Sequence, residues 1–256
     1  MKPLSDLTPE EINRIKLISF DSDGVLAEKG TEIFDTPGFY SQKTNLISPE
    51  ILSKLNQLKN SFEIVINSGR SSLYLTRFYQ DILWSKVTLI SEIGIFLTGQ
   101  GFMVQTEPLT TYELEVTKKI RSEISHLLGD PRVEGFEPKQ FLTTLHCHSE
   151  VPEVTEIVSR NDPENQFYCW WNLEAYDINP KKFTKVNALK KLISLKNISP
   201  SQVMTVGNGV NDRDSVTSQF LNITTDTANL VTDDYFVDGE NLGGEKIIDH
   251  LLTVVK

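Results

Sequence analysis

The stretch Ile15-Lys16-Leu17-Ile18-Ser19-Phe20-Asp21-Ser22-Asp23-Gly24 sets an apolar run of strand length directly against two acids and a glycine. Apolar residues in so short a run read as a buried strand, and Asp-Gly ends it in a turn. The same grammar recurs downstream. Phe62-Glu63-Ile64-Val65-Ile66-Asn67 is a second strand, ending at Ser68-Gly69-Arg70. Val203-Met204-Thr205-Val206 is a third, ending at Gly207-Asn208-Gly209. Between and beside these runs lie helical patterns. Ser48-Pro49 opens one with Ile51, Leu52, Leu55 and Leu58 on a face, and another follows Arg70 with Leu73, Tyr74, Phe78 and Ile82 as its expected buried stripe. Thr184 caps a helix carrying Val186, Leu189, Leu192 and Ile193. Thr8-Pro9-Glu10-Glu11 is a capping box with Pro at the first helical position.

Strand–loop–helix alternation at both ends of the chain predicts an α/β fold: a Rossmann-like, doubly wound parallel sheet. The middle has a different texture. Short strands are expected at Val87–Ile90, Ile93–Leu97, Phe102–Gln105, Arg132–Phe136, Phe141–Ser149 and Phe167–Ile178, with helices over Tyr112–Leu128 and Pro152–Arg160. This is an α+β pattern, read as an antiparallel sheet with two helices. The expected division is a discontinuous core, residues 1–83 and 180–256, interrupted by an inserted α+β cap over 84–179.

Composition narrows the function. The chain has 256 residues, 25 Lys+Arg against 35 Asp+Glu, and a formal net charge of −10. That balance argues against nucleic acid or an anionic membrane as partner, since both demand clustered positive charge. The apolar runs are far too short to cross a bilayer. The start shows no apolar secretion segment, and Cys147 and Cys169 alone make no disulfide framework, so a reducing cytoplasm is expected.

In open α/β sheets, ligands bind beyond the carboxyl ends of the strands. Asp21, Asp23, Ser68, Asn208, Asn211 and Asp212 therefore converge on one expected crevice. Asp21 and Asp23, separated by one residue, repel each other unless a cation or proton intervenes. Mg²⁺ prefers such oxygen ligands, and an aspartate can also act as a nucleophile. Taken alone, Asp-x-Asp-Gly is as readily a plain turn. Ser68 and Gly69 read as a phosphoryl-oxygen cradle or as an ordinary N-cap. Lys185 stands in the first turn of its helix, where a cation is unfavourable to the dipole. It reads as a phosphoryl-neutralising group or, like Lys181 and Lys182, as a solvated surface lysine.

Together, Phe20-Asp21-Ser22-Asp23-Gly24-Val25-Leu26, Asn67-Ser68-Gly69-Arg70, Pro180-Lys181-Lys182-Phe183-Thr184-Lys185 and Val206-Gly207-Asn208-Gly209-Val210-Asn211-Asp212 resemble, in order, the four motifs of the haloacid dehalogenase superfamily of phosphatases. The position of the insert is similar to the αβ cap (subclass IIB, C2B-type) of Cof-type, sucrose-phosphate and trehalose-phosphate phosphatases. The resemblance implies that Asp21 attacks phosphorus and that Asp23 protonates the leaving oxygen, then activates water. It implies that Ser68, Gly69, Lys185 and Asn211 hold phosphoryl oxygens, with Arg70 as a further candidate. Mg²⁺ would be bound by Asp21, the Asp23 carbonyl and the fourth motif, through Asn208 or Asp212. One departure stands out. The family's fourth motif normally begins Gly-Asp, and here it is Gly207-Asn208, which removes one negative charge.

Within the insert, Glu137-Pro138-Lys139-Gln140-Phe141-Leu142-Thr143-Thr144-Leu145-His146 resembles a cap segment of trehalose-phosphate phosphatases, which makes Glu137, Lys139 and His146 candidate sugar contacts. The alternative for Glu137 and Lys139 is a solvated ion pair. His146 and His148 alternate along an expected strand and so would share a face; packing outweighs zinc binding there. Tyr168, Trp170 and Trp171 read as sheet packing. The expected function is a Mg²⁺-dependent phosphomonoesterase acting on a small-molecule phosphate ester, a sugar phosphate. A sugar phosphomutase, or a sugar-phosphate-binding module weakened by Asn208, are the rival readings. Oligomeric state is not legible.

Overall fold

The computed structural model describes residues 1–216, 219–237 and 242–255. Two compact units emerge. The larger comprises residues 1–29, 46–106 and 184–256, and the smaller comprises 30–45 and 107–183.

Among the described residues, the large unit holds nine strands in one sheet. Their order is Lys2–Pro3, Tyr235–Phe236, Leu221–Thr224, Val203–Gly207, Leu17–Phe20, Glu63–Asn67, Val87–Ser91, Phe96–Gly99 and Phe102–Gln105. The first seven run parallel and the last two antiparallel. Leu17–Phe20 is central and buried on both faces. Ile18 and Phe20 pack into the layer with Ile51, Leu55, Leu75, Ile247 and Leu251. Leu17 points the other way, to Val186, Leu189 and Leu192 of the Lys185–Leu195 helix. Period-2 alternation thus feeds helices on both faces, which is the doubly wound arrangement the sequence predicts.

The small unit has a four-stranded antiparallel sheet in the order Phe167–Trp171, Ala175–Pro180, Thr143–Cys147, Val133–Phe136. Its core joins Val116, Ile120 and Ile124 of the Thr111–Ile124 helix to Val154, Ile157 and Val158 of the Pro152–Asn161 helix. Thr110 caps the first of these with Glu113 in a complete capping box.

Several expectations need correction. Residues 84–106 belong to the large sheet, not to the insert, because Val87–Ser91 pairs parallel with Glu63–Asn67 and carries the next two strands with it. Residues 30–45, expected in the core, form a hairpin (Thr31–Thr36 with Phe39–Thr44, turning at Pro37-Gly38) within the small unit. The hairpin is tied there by Ile33 N donating to Glu134 Oε2 at 3.1 Å and Phe136 N donating to Asp35 Oδ2 at 3.3 Å. Residues 180–183 also fall in the small unit. The Ser72–Tyr79 helix buries Leu75, Phe78 and Tyr79, while Leu73 is exposed, because the stripe that packs into the core runs through Leu75, Phe78 and Tyr79 and leaves Leu73 on the outer side.

Gly135 lets the hairpin approach. Its φ is +147°, and a Cβ there would lie 2.3 Å from Asp35 Cβ. Gly135→Ala is expected to cost the small unit about 2 kcal/mol or more, as overpacking with backbone strain does. A chemical-denaturation midpoint unchanged from wild type would refute that.

Candidate active site

The candidate site is built from three strand ends and one helix start, all in the large unit. Asp21 follows Phe20, and its N–H still donates to Val206 O at 2.9 Å, so sheet pairing fixes its backbone. Its carboxylate accepts from Ser22 N at 2.8 Å. Ser22 is fully buried, its hydroxyl 2.8 Å from the Tyr79 hydroxyl, and its carbonyl accepts from Leu26 N and Ala27 N. The turn is thereby locked from beneath. Gly24 has φ +76°, and a Cβ there would fall 2.2 Å from Asn208 Nδ2, so the first and fourth motifs meet only because residue 24 has no side chain.

Ser68 is buried and its hydroxyl accepts from Arg70 N at 3.1 Å. The N-cap of the following helix is Ser71, whose hydroxyl accepts from Tyr74 N. Ser68 is therefore not the N-cap that its position next to Gly69 allowed. Gly69 is half-buried beside it. Arg70 reaches Asp23 with both prongs: Nε to Oδ2 at 3.1 Å and Nη2 to Oδ1 at 2.6 Å. Such fork-on-carboxylate pairs are directional as well as strong.

Lys185 is the first residue of its helix and only 2% exposed. Nζ lies 2.8 Å from Asp21 Oδ1 and 2.8 Å from Asp212 Oδ1. The dipole penalty noted in the sequence is thus offset by two carboxylates. Asn67, at the end of its strand, donates from Nδ2 to the Lys185 carbonyl at 3.1 Å and anchors that helix start. Lys181 and Lys182 do not compete for the role. They bond Asn165 and Glu113 within the small unit.

The fourth motif turns tightly after Gly207. Asp212 Oδ2 accepts from Asn208 N at 3.0 Å and Gly209 N at 3.1 Å, while Oδ1 takes Lys185. Asn208 Nδ2 donates to the Asp23 carbonyl at 2.9 Å. Asn211 is half-buried in the same turn and, among the described residues, makes no hydrogen bond to the other candidates. An open cavity of about 620 Å³ borders Gly24, Lys29, Asn208, Thr225 and Asp226.

A family model for haloacid dehalogenase-like hydrolases matches residues 86–214, half of the chain. The chain belongs to the haloacid dehalogenase-like hydrolases. The sequence of this hydrolase matches none of the curated proteins. Its fold is similar to the C-terminal domain of trehalose-6-phosphate phosphatase from C. albicans, with TM-score 0.68, 15% identity, and coverage of 99% of this chain and 98% of that one. It is also similar to trehalose-6-phosphate phosphatase from Aspergillus fumigatus, with TM-score 0.62, 16% identity, and 99% of each chain. A protein of Thermoplasma acidophilum matches with TM-score 0.66 at 17% identity over 93% of this chain and 98% of its own. At these identities the likeness shows the fold.

Electrostatics at the hydrolase's site are set by burial. Desolvation pushes the Asp21 carboxyl up to about 7; Lys185 pulls it down, and Asp212 and Asp23 push it up. Burial would lower Lys185, but Asp21 and Asp212 more than offset it, leaving the amine above its ordinary range. Lys185 is thus a fixed cation. Tyr79, buried under the turn, is also raised, first by desolvation.

Mg²⁺ suits the donor set on chemical grounds. Asp21 offers a carboxylate, and the Asp23 carbonyl and the Asn208 side chain meet within hydrogen-bond distance. All are hard oxygen ligands of the type Mg²⁺ takes once the Asn208 amide turns its oxygen inward. Asp212 is already engaged at both oxygens, on the far side of Lys185.

The small-unit candidates form a separate cluster. Lys139 Nζ lies 3.1 Å from Glu137 Oε2, and its side chain is 3% exposed, so this is a buried ion pair rather than a solvated one. Nζ also donates to Thr144 Oγ1 at 2.7 Å, and Thr144 in turn donates to Asp177 Oδ1 at 2.6 Å. His146 Nε2 is 3.2 Å from Glu137 Oε2. His148 is exposed and pairs with Glu134. The two histidines do not share a face because the strand register shifts between His146 and Cys147. Burial holds the Cys147 thiol up at about 12, far from thiolate chemistry. Tyr168 and Trp170 stack at 3.8 Å, and Trp171 packs on Tyr176.

Three positioning residues escape a reading of the sequence: Asn67, Ser22 and Tyr79. Asn67 carries the only signal of the three, an amide ending an otherwise apolar strand.

Proposed function

We propose that this hydrolase is a Mg²⁺-dependent phosphomonoesterase acting on a sugar phosphate through an aspartyl-phosphate intermediate. The observation that carries the reading is Lys185 bridging Asp21 and Asp212 at the end of the central strand, with Asp23 two residues beyond Asp21. An Asp21 oxygen attacks phosphorus, the P–O bond to the sugar breaks, and the leaving oxygen takes a proton from Asp23. Asp23, now a carboxylate, takes a proton from water as that water attacks phosphorus. The bond from phosphorus to Asp21 breaks and phosphate departs. Ser68, the Gly69 backbone, Lys185 and Asn211 hold the phosphoryl oxygens. Arg70, which pairs with Asp23 through both prongs, is a further candidate for the same oxygens. When bound, Mg²⁺ neutralises charge on the same oxygens, and Asp21, the Asp23 carbonyl and Asn208 would hold it. Positioning and charge neutralisation account for most of such catalysis.

The sugar assignment rests on the small unit. Glu137, Lys139, His146, Thr144 and Asp177 interleave donors and acceptors, which is what a polyol needs. Catalysis by the large unit and selectivity by the small one are part of this proposal. Phosphate release is expected from sugar phosphates, disaccharide phosphates included, in a side-by-side screen. Good turnover of another ester with none from any sugar phosphate would overturn the substrate class. Asn208 favours one second reading, a sugar-phosphate-binding module without turnover. That reading predicts binding without phosphate release, and activity gained by Asn208→Asp.

A further inference from the structure

Asn208 changes how a cation meets this site. Its Nδ2 donates to the Asp23 carbonyl at 2.9 Å, and only the N–H end of an amide complements a carbonyl. A carboxylate at 208 would repel that carbonyl unless a cation stood between them. The amide instead satisfies it within the protein alone, pressed into place against Gly24. A cation can take both oxygens only after the amide turns over and gives up this hydrogen bond.

The surrounding charge points the same way. Asp21, Asp23 and Asp212 are directly paired with Lys185 and Arg70. With its three carboxyl groups all ionised, this set carries a single negative charge against two fixed cations, where an aspartate at 208 would leave two. Asp212 cannot readily make up the difference, since its oxygens already take Lys185 and two backbone N–H groups. A phosphate dianion would add two negative charges at the same point and restore the attraction for a divalent ion.

We infer that divalent-cation binding and phosphate binding are strongly coupled in this protein: the free site holds Mg²⁺ weakly, and the phosphoryl group recruits it. The inference rests on the phosphomonoesterase reading for where phosphate lies. Linkage makes the coupling reciprocal, so each ligand tightens the other by the same factor.

Isothermal titration calorimetry on the full chain tests it, with MgCl₂ and inorganic phosphate as probes and free Mg²⁺ as the concentration variable. The Kd for Mg²⁺ is expected to fall at least about tenfold in saturating phosphate, and the Kd for phosphate by an equal factor in saturating Mg²⁺. Asn208→Asp is expected to bind Mg²⁺ alone at least about tenfold more tightly than wild type. Equal Mg²⁺ affinity with and without phosphate in the wild type overturns the inference, as does an Asn208→Asp protein that binds Mg²⁺ no better. The wild-type measurement stands even if the variant misfolds. Turnover without coupling removes this inference alone; coupling without turnover removes the phosphatase reading alone.

Discussion

An Asp21→Asn protein is expected to release phosphate from an aryl or sugar phosphate at least about a thousandfold more slowly than wild type, the scale of loss when a nucleophile is removed. The amide keeps the size of the side chain but cannot attack phosphorus. Equal rates would eliminate Asp21 as nucleophile. The same substitution should raise thermal stability. Asp21 is buried, and its carboxyl is pushed from 3.8 to about 7, so the folded chain binds its proton more tightly than the unfolded chain does. A carboxyl raised in this way favours the fold fully below the unfolded value, and that contribution is lost as pH rises through about 7. In chelator, the wild type should therefore melt below Asp21→Asn, and the gap should widen from about pH 5 to about pH 8. A gap that narrows over that range would remove desolvation as the governing cause. Function and stability pull against each other at this residue, as they commonly do at sites that hold charge out of water.

Lys185→Met is expected to be the more damaging change. Methionine fills a similar volume, but Asp21 and Asp212 then face one another in a buried site with no cation between them. Breaking a buried ion cluster by removing one partner costs about 3–5 kcal/mol, and for a chain of this size that corresponds to a melting temperature lower by at least about 6 °C. Turnover should be lost as well, because the amine is also a proposed phosphoryl ligand. The stability loss should be smaller at about pH 5 than at about pH 8, because protonation of Asp21, whose carboxyl burial already pushes up to about 7, relieves the repulsion. Scanning calorimetry at the two pH values decides it. A loss independent of pH would assign Lys185 a packing role only.

Much of this site was legible because its chemistry sits at strand ends. Asp21, Ser68 and Asn208 each follow an apolar run, and a parallel sheet brings such ends together whatever lies between them in the chain. Lys185 was legible for the opposite reason, being a cation where a helix start disfavours one. What stayed hidden depends on contacts between distant residues. Nothing local tells which sheet Val87–Ser91 joins, so residues 84–106 read as insert until their pairing with Glu63–Asn67 is seen. The Thr31–Thr44 hairpin carries a Pro37-Gly38 turn signal, yet its place beside Val133–Phe136 depends on Gly135 and Asp35 meeting across the chain. The pairing of Arg70 with Asp23 and of Asn208 with the Asp23 carbonyl are likewise non-local. A register shift of the kind that separates His146 from His148 leaves no mark in an alternating pattern.

The order in which the two units complete themselves bears on how the chain is made. The small unit has all its residues once synthesis reaches Phe183. The large sheet then still lacks Val203–Gly207, the neighbour of Leu17–Phe20. Until that strand emerges, one side of the fully buried Leu17–Phe20 strand is an open edge, able to pair with the wrong partner. A ribosome stalled between these two points would present a finished small unit and an unfinished sheet, and chaperone demand should peak there. The acids that await Val203–Gly207 stand at the tip of that same open strand, so the proposed catalytic crevice is among the last parts of the protein to exist.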